Sequence, residues 1–426
     1  MRRLAAIATA AALSAVLACP AAATVIRVPE DYPSVLAGVD AAVAGDSVLV
    51  GPGTWADREV RTVPHVGEIQ SAMFLKPGVT VIGVAGVVQT VLDGGPSGSN
   101  SLGTIVHALG GTETARVIGF TITGGGEGVV ASRASPLELV ACRIDHNYWS
   151  GVDAYWVTVA LTDCVISNNQ GGPSANHEPG VRCEDAVMAC TRCTFERNAG
   201  QAVRILWYEG FNQLNLSDCM LRDQSAGGVF ASSALVDIER CWFLRVSLPS
   251  SGAGAGVYTD NCSGVVKFCA FVFDSAYGAP GAYILDNSVM RLENNLFYGC
   301  VGRSWASALA INGNDAGTRN NIFAYNTGRV GAAEKSGGPS SPESGCNLFY
   351  HNVGGDYAGQ WVHAPTDLDA PPLFCNAPAL DFTVQKRSPA ANGNWVGCGL
   401  IGPFGVGCNP VSVEPQTWGR LKAAFR

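Results

Sequence analysis

The chain is short of charge. Only 15% of its 426 residues are Asp, Glu, Lys or Arg. That is too few to coat long surface helices, which argues against a helix-rich fold. It is short of histidine too: the six are scattered and no two have the spacing of a zinc pair. No Gly-rich loop runs into a helix to receive phosphate, since Gly124-Gly125-Gly126 reads as a turn, and no nucleophile elbow appears. Past the first two dozen residues, no apolar run is long enough to cross a membrane as a helix. Positive charge is also in deficit, with 27 basic against 35 acidic residues. This balance disfavours nucleic acid, anionic membrane and strongly acidic polysaccharide as general partners.

What is present points elsewhere. Glycine numbers 52 and hydrophobic residues make up 47%, so the chain is ordered and rich in turns. Arg2 and Arg3, the apolar run Leu4 to Ala18 and the small residues Ala21-Ala22-Ala23 form a signal peptide, 1–23. Lipidation at Cys19 is the competing reading. The body, 24–408, is therefore expected to be secreted or held at the cell surface, with a tail over 409–426. There Trp418, Leu421, Ala424 and Phe425 fall at helical spacing, which fits either a docked helix or an attachment tail.

A cysteine recurs two residues ahead of an apolar side chain. It stands at Cys142, Cys164, Cys193, Cys219, Cys241 and Cys269, and Asn295, Asn321 and Asn347 continue the series at intervals of 22 to 29. The apolar partners are Ile144, Ile166, Phe195, Leu221, Phe243, Phe271, Phe297, Phe323 and Phe349. A period in the twenties means stacked units. A second landmark, Gly or Ala before an apolar residue, recurs from Gly128-Val129 to Ala308-Leu309. Short alternating strands broken by Gly, Asn and Asp then predict an all-β parallel β-helix of about a dozen coils. In such a stack the Cys/Asn series occupies one inward corner, where Asn side chains hydrogen-bond from coil to coil and thiols act as small hydrophobes. Those thiols are expected to be free, and Cys190-Thr-Arg-Cys193 is expected to be structural rather than redox-active. Off this ladder, Cys398 and Cys408 flank a Gly-rich loop and are disulfide candidates, with Cys375 as the rival partner.

The start of the body, Thr24 to Trp55, contains a short helix from Val35 followed by the strand Ser47 to Val50. A helix there would cover the open end of the solenoid. Together with "LKPGVTVIG" (Leu75 to Gly83) and "TVLDGG" (Thr90 to Gly95), this opening resembles secreted bacterial right-handed parallel β-helix proteins of the pectate-lyase-like superfamily. The resemblance implies the fold over about 25–408. It implies less about chemistry, because the superfamily includes lyases, hydrolases, esterases, epimerases and adhesins. The "QDTL" of pectin methylesterases and the "GHG" of polygalacturonases are missing. Phe195 to Asn198 and Phe323 to Asn326 fit an "FxxN" repeat of surface proteins, without its "GGAI" companion.

On the strand that begins at each Gly-Val pair, outward positions form two columns. One runs Val130, Asp153, Arg182, Arg204, Phe230, Tyr258, Tyr283, Ala310, and the other Ser132, Tyr155, Glu184, Leu206, Ser232, Asp260, Leu285, Asn312. In the enzymes the chain resembles, this face floors the substrate groove. Asp153, Arg182, Glu184 and Arg204 are the candidate catalytic residues. Tyr155, Trp207, Phe230, Tyr258, Asp260 and Tyr283 are the candidate ligand-binding residues, aromatic faces being platforms for sugar rings. Trp149, Trp156, His177, Glu178, Tyr208 and Glu209 border them on loops. No metal site is expected. Calcium prefers six to eight oxygens, so only a weak site between Asp153 and Glu184 stays open. Three functions compete: binding of polysaccharide or another surface ligand along this face, polysaccharide lysis or hydrolysis on it, and a structural or adhesive role. Converging carboxylates would favour the second. A stripe neutralised by salt bridges, with Trp242 and Leu296 exposed elsewhere, would favour the third.

Overall fold

The computed structural model describes residues 23–95, 103–172, 179–248, 252–285, 288–313, 316–337 and 344–408. They form a right-handed parallel β-helix of about 14 turns. Each turn adds one strand to each of three sheets. Sheet A has 12 strands, from Val25–Val28 to Gly317–Arg319, and sheet B has 13, from Gly53–Trp55 to Leu368–Asp369. Sheet C also has 13, from the hairpin Glu59–Val63 and Gly67–Leu75 to Tyr357–Gly359. The expected short helix is present as Val35–Ala41, N-capped by Ser34, whose hydroxyl accepts from Ala37 N. It buries Val35 and Val39 over the first turn.

The predicted files are vertical. Ile144, Ile166, Phe195, Leu221, Phe243, Phe271, Phe297, Phe323 and Phe349 pair directly from turn to turn in sheet B. The five phenyl rings from Phe243 to Phe349 stack at 4.6 to 5.0 Å, close to the strand spacing itself. The preceding Cys or Asn turns the corner after a residue held at positive φ, as at Asp163, Arg192, Asp218 and Arg240 (φ 52 to 56°). Ten cysteines are buried and unbridged among the described residues, Cys190 and Cys193 included. Burial pushes the thiols of Cys241 and Cys300 well above their ordinary range. At the top of the file Asn295 Nδ2 donates to Asn321 Oδ1, and Asn321 Nδ2 to Asn347 Oδ1, both at 3.1 Å.

The Gly-Val landmark has a steric cause. A Cβ on Gly256 would lie 2.4 Å from the Gly281 carbonyl oxygen and 2.7 Å from the Phe271 ring. Successive turns approach too closely there for any large side chain.

The C-terminal part differs from expectation. After sheet B ends, Phe374–Asn376, Asp381–Gln385 and Val406–Cys408 form a small sheet of their own. Phe382, Val384, Ala390 and Ile401 join one apolar cluster with Ala270, Leu296, Ile322 and Leu348 on the outer face of sheet B. Leu296 is therefore fully buried and Trp242 partly covered, not exposed. Of the disulfide expectations, the rival partner Cys375 is the one used, and Cys346 is the partner not anticipated. Cys398 pairs with Cys346, and Cys408 pairs with Cys375. Fold-back brings Cys398 beside the corner of a turn 52 residues earlier, which chain proximity does not reveal. The segments 1–22 and 409–426, which hold all but the last residue of the expected signal peptide, Cys19 and the expected tail, lie outside the described residues.

Candidate functional site

Sheet C carries the first anticipated column whole and the second in two stretches, broken between Leu206 and Ser232 and at Leu285, which follows its strand. Asp153, Arg182, Arg204, Phe230, Tyr258 and Tyr283 pair in direct register, turn upon turn. Tyr155 pairs with Glu184, and Ser232 with Asp260. The sheet thus gathers Asp153, Tyr155, Arg182, Glu184 and Arg204 into one cluster. Phe230, Tyr258 and Tyr283 continue from it along the axis, with Asp260 at their side.

The cluster is tied together. Arg182 donates through Nε to Glu184 at 2.8 Å, and its Nη2 lies 2.5 Å from the same oxygen. Its guanidinium sits 5.6 Å from the centre of the Tyr155 ring. Asp153 accepts from the Ser150 hydroxyl, and from Tyr155 Oη at 3.2 Å. Although both carboxylates are on an outer strand face, Asp153 and Glu184 are only 6% and 7% exposed. Burial, then the Asp153 charge, raise the Tyr155 phenol well above its ordinary range, so it stays a donor at neutral pH. Arg204 rests over the Phe230 ring at 5.7 Å, and its Nε is buried without a partner among the described residues.

Beyond Arg204 the face is aromatic. Phe230 and Tyr258 stack at 4.8 Å with planes 6° apart, and Tyr258 meets Tyr283 edge-on at 5.6 Å. Trp305, on the loop after Val301–Gly302, lies 5.8 Å from Tyr283 and extends the file to four rings. A cleft of 190 Å³ lies at this end, between Tyr283, Trp305, Asn312, Glu334 and Ser336. Burial, then Asp260, raise the Tyr258 phenol. Sequence reasoning missed Trp305 because it belongs to a loop and not to a strand column.

The remaining candidates divide. Trp207 does not join the columns. It stands 53% exposed at the corner between sheets C and A, where the loop after Val203–Leu206 turns away, and Tyr208 and Glu209 go with it. Trp156 is exposed at a neighbouring corner beneath Arg133, while Trp149 packs edge-on against Tyr148. His177 and Glu178 lie outside the described residues. Among the described residues, no group of three or more His, Cys, Asp or Glu is arranged to hold a metal ion.

No family model matches the chain, and no curated protein matches it. Solved structures do. An alginate lyase from Paenibacillus sp. is 12% identical, with 79% of this chain and 99% of that one covered and a TM-score of 0.39. Pectate lyase Pel9A is 13% identical, with 87% and 90% covered and a TM-score of 0.45. The A-module of a mannuronan C-5 epimerase from Azotobacter vinelandii is 15% identical, with 79% and 94% covered and a TM-score of 0.36. At these identities the likeness is one of parallel β-helix architecture and does not extend to the site.

Proposed function

We propose that the protein binds an extended polysaccharide along the outer face of sheet C. The aromatic file carries this reading. Phe230, Tyr258, Tyr283 and Trp305 form a line of half-buried or exposed rings parallel to the axis. A sugar chain laid along it would rest the apolar faces of its rings on the aromatics. Arg204, the Arg182–Glu184 pair and Tyr155 supply donors and acceptors for hydroxyl groups at one end, and Glu334 and Asn312 at the other. Two disulfides among the described residues suit the export expected for such a protein.

Affinity electrophoresis through gels carrying a panel of neutral and acidic polysaccharides tests this. One polysaccharide should retard the protein, and Tyr258→Ala or Tyr283→Ala should weaken its retention about tenfold each, the loss of roughly 1.4 kcal/mol of ring contact. Retardation that is unchanged in both variants would remove sheet C from the account.

A second reading, cleavage of the bound chain, has one observation in its favour. Asp153 and Glu184 are nearly buried carboxylates on an outer face, beside a tyrosine that stays protonated. If the cluster is catalytic, new reducing or unsaturated ends will appear, and Arg182→Ala and Glu184→Ala will each abolish them. Retention without product rejects catalysis on the sugars tried.

A further inference from the structure

Most corners between sheets C and A are tight, with two to four residues between the strands. Two residues separate Val152–Tyr155 from Thr158–Thr162, Val181–Glu184 from Val187–Thr191, Val229–Ser232 from Leu235–Glu239 and Val257–Asp260 from Ser263–Lys267. Two corners are longer, with six residues each: 109–114, between Thr104–Ala108 and Ala115–Ile118, and 207–212. Between Val203–Leu206 and Gln213–Ser217 the chain has four residues more than at the tightest corners, so that 207–211 project from the prism. The solenoid does not need them, and insertions of this kind collect on binding faces.

The insertion is held firmly. The Asp185 carboxylate accepts the backbone N–H groups of Tyr208, Glu209 and Gly210 at 2.9 to 3.2 Å. Trp207 Nε1 donates to Gly210 O at 2.9 Å, closing the loop on itself. Burial opposes the charge on Asp185, but these donors hold its carboxyl below the usual range, so the anchor is in place at neutral pH. What this framework displays is apolar: Trp207, Tyr208 and Phe211 are 53%, 60% and 61% exposed. Large rings fixed in water by a dedicated network are an unusual expense for a monomer surface.

Beside the loop is a cleft of 380 Å³. Trp207 and Phe211 form one wall, and Ser233, Asn261 and Ser263 supply hydroxyl and amide groups to the rest. Asn261 Nδ2 donates to Ser233 Oγ at 2.9 Å, so the polar wall is itself ordered. Asn212, also in the lining, is 1% exposed and keeps its Nδ2 donor without a partner among the described residues. None of the lining residues is charged. An aromatic wall facing hydroxyl and amide groups suits a ligand with an apolar flat face and a hydroxylated edge. The lack of charge selects a neutral one, in contrast to the Arg182, Glu184 and Arg204 cluster on sheet C.

We infer that the corner cleft built by the 207–212 insertion binds a neutral sugar unit, through Trp207 and Phe211 on one side and Ser233 and Asn261 on the other. This site is lateral to the file on sheet C and does not depend on it. Trp207 and Phe211 stack on the ring, Asn261 and Ser233 exchange hydrogen bonds with its hydroxyls, and Asp185 acts only as a positioning residue that keeps the loop erect.

Isothermal titration of the full chain with cello-, xylo-, manno- and maltohexaose, and with oligogalacturonate as the charged control, tests the inference. At least one neutral hexasaccharide should bind. Trp207→Ala and Phe211→Ala should each weaken it at least tenfold and Asn261→Ala several-fold, while Trp207→Phe retains most of the affinity. Val396→Ala, exposed and in neither site, should change it less than twofold. Loss in Tyr258→Ala without loss in Trp207→Ala assigns the binding to sheet C and overturns the corner site. So does binding of oligogalacturonate alone, or no binding of any neutral hexasaccharide. Phosphatidylcholine vesicles that capture the protein through Trp207 in the absence of sugar binding would also overturn it, in favour of a membrane contact. Failure of the sheet C reading is told apart by the reverse pattern, in which only the Trp207 and Phe211 variants lose affinity.

Discussion

At the residue scale, the second inward corner of sheet B holds a polar file that the sequence showed only as a scattered "FxxN". Asn147 Nδ2 donates to Asn169 Oδ1 at 3.1 Å, Asn169 Nδ2 to Asn198 Oδ1 at 2.9 Å, and Asn326 Nδ2 to Asn352 Oδ1 at 3.0 Å. Each also reaches back to a carbonyl of the turn before, as Asn326 does to Phe297. Asp274 occupies the same file. It is fully buried, its Oδ1 accepts from Val246 N at 2.8 Å, and its Oδ2 has no partner among the described residues. Burial pushes its carboxyl well above the usual range, so the fold favours the protonated form. The associated stability is complete below the ordinary carboxylate pKa of about 3.9 and is lost as pH rises towards the folded value. By register, an asparagine there would face its Nδ2 to the Phe243 carbonyl. Asp274→Asn should therefore stabilise the protein at pH 7 by about 1–3 kcal/mol in urea unfolding. The gain should shrink towards zero below pH 4, and an equal gain at both values would refute protonation as its origin.

At the scale of elements, the strands of sheet C from Val129–Ser132 to Leu309–Asn312 each begin at or just after a Gly or Ala, because the next turn's carbonyl stands where a larger side chain would go. Gly256 meets both that carbonyl and the Phe271 ring, so Gly256→Val should be among the most damaging single changes in the body. A loss of several kcal/mol, or insolubility on expression, is expected, whereas Ser232→Val at the outward end of a neighbouring strand should leave the melting temperature nearly unchanged. Equal effects would show that the close approach is not rigid. The same tightness is what makes the corner insertion at 207–212 conspicuous. Register is kept from turn to turn on either side of the corner, so added chain can only leave the prism.

For the whole molecule, a parallel solenoid has no contacts between distant turns except where the chain doubles back. Here the C-terminal unit covers sheet B from Trp242 to Leu348. The change was visible in sequence. Outward positions on sheet B are polar early, as at Arg143, Asp145 and Glu196, and apolar later, as at Trp242, Leu296 and Ile322. In sequence, exposure of Trp242 and Leu296 would favour an adhesive role, and nothing local says what covers them. The Cys346–Cys398 bridge fastens the cover across 52 residues. By loop-closure entropy such a bridge contributes about 4 kcal/mol. Cys346→Ser with Cys398→Ser should therefore unfold the C-terminal unit at lower urea than the solenoid, exposing Trp242 to fluorescence quenchers. A single unshifted transition would show that apolar contact alone holds the unit down.

The sequence by itself determined the parallel β-helix and its inward files through the recurrence of Cys, Asn and Phe, the outward face of sheet C through the Gly-Val landmark, and the capping helix through the opening Thr24 to Trp55. It could do so because pairing between turns forces like positions over one another at a spacing of about 4.8 Å. Only the tertiary structure decided what lies outside that register: the partners of Cys398 and Cys408, the burial of Leu296, the entry of Trp305 into the aromatic file and the departure of Trp207 from it. Loops and the returning C-terminal chain vary in length and owe no register to their neighbours, so their side chains find places through contacts remote in sequence.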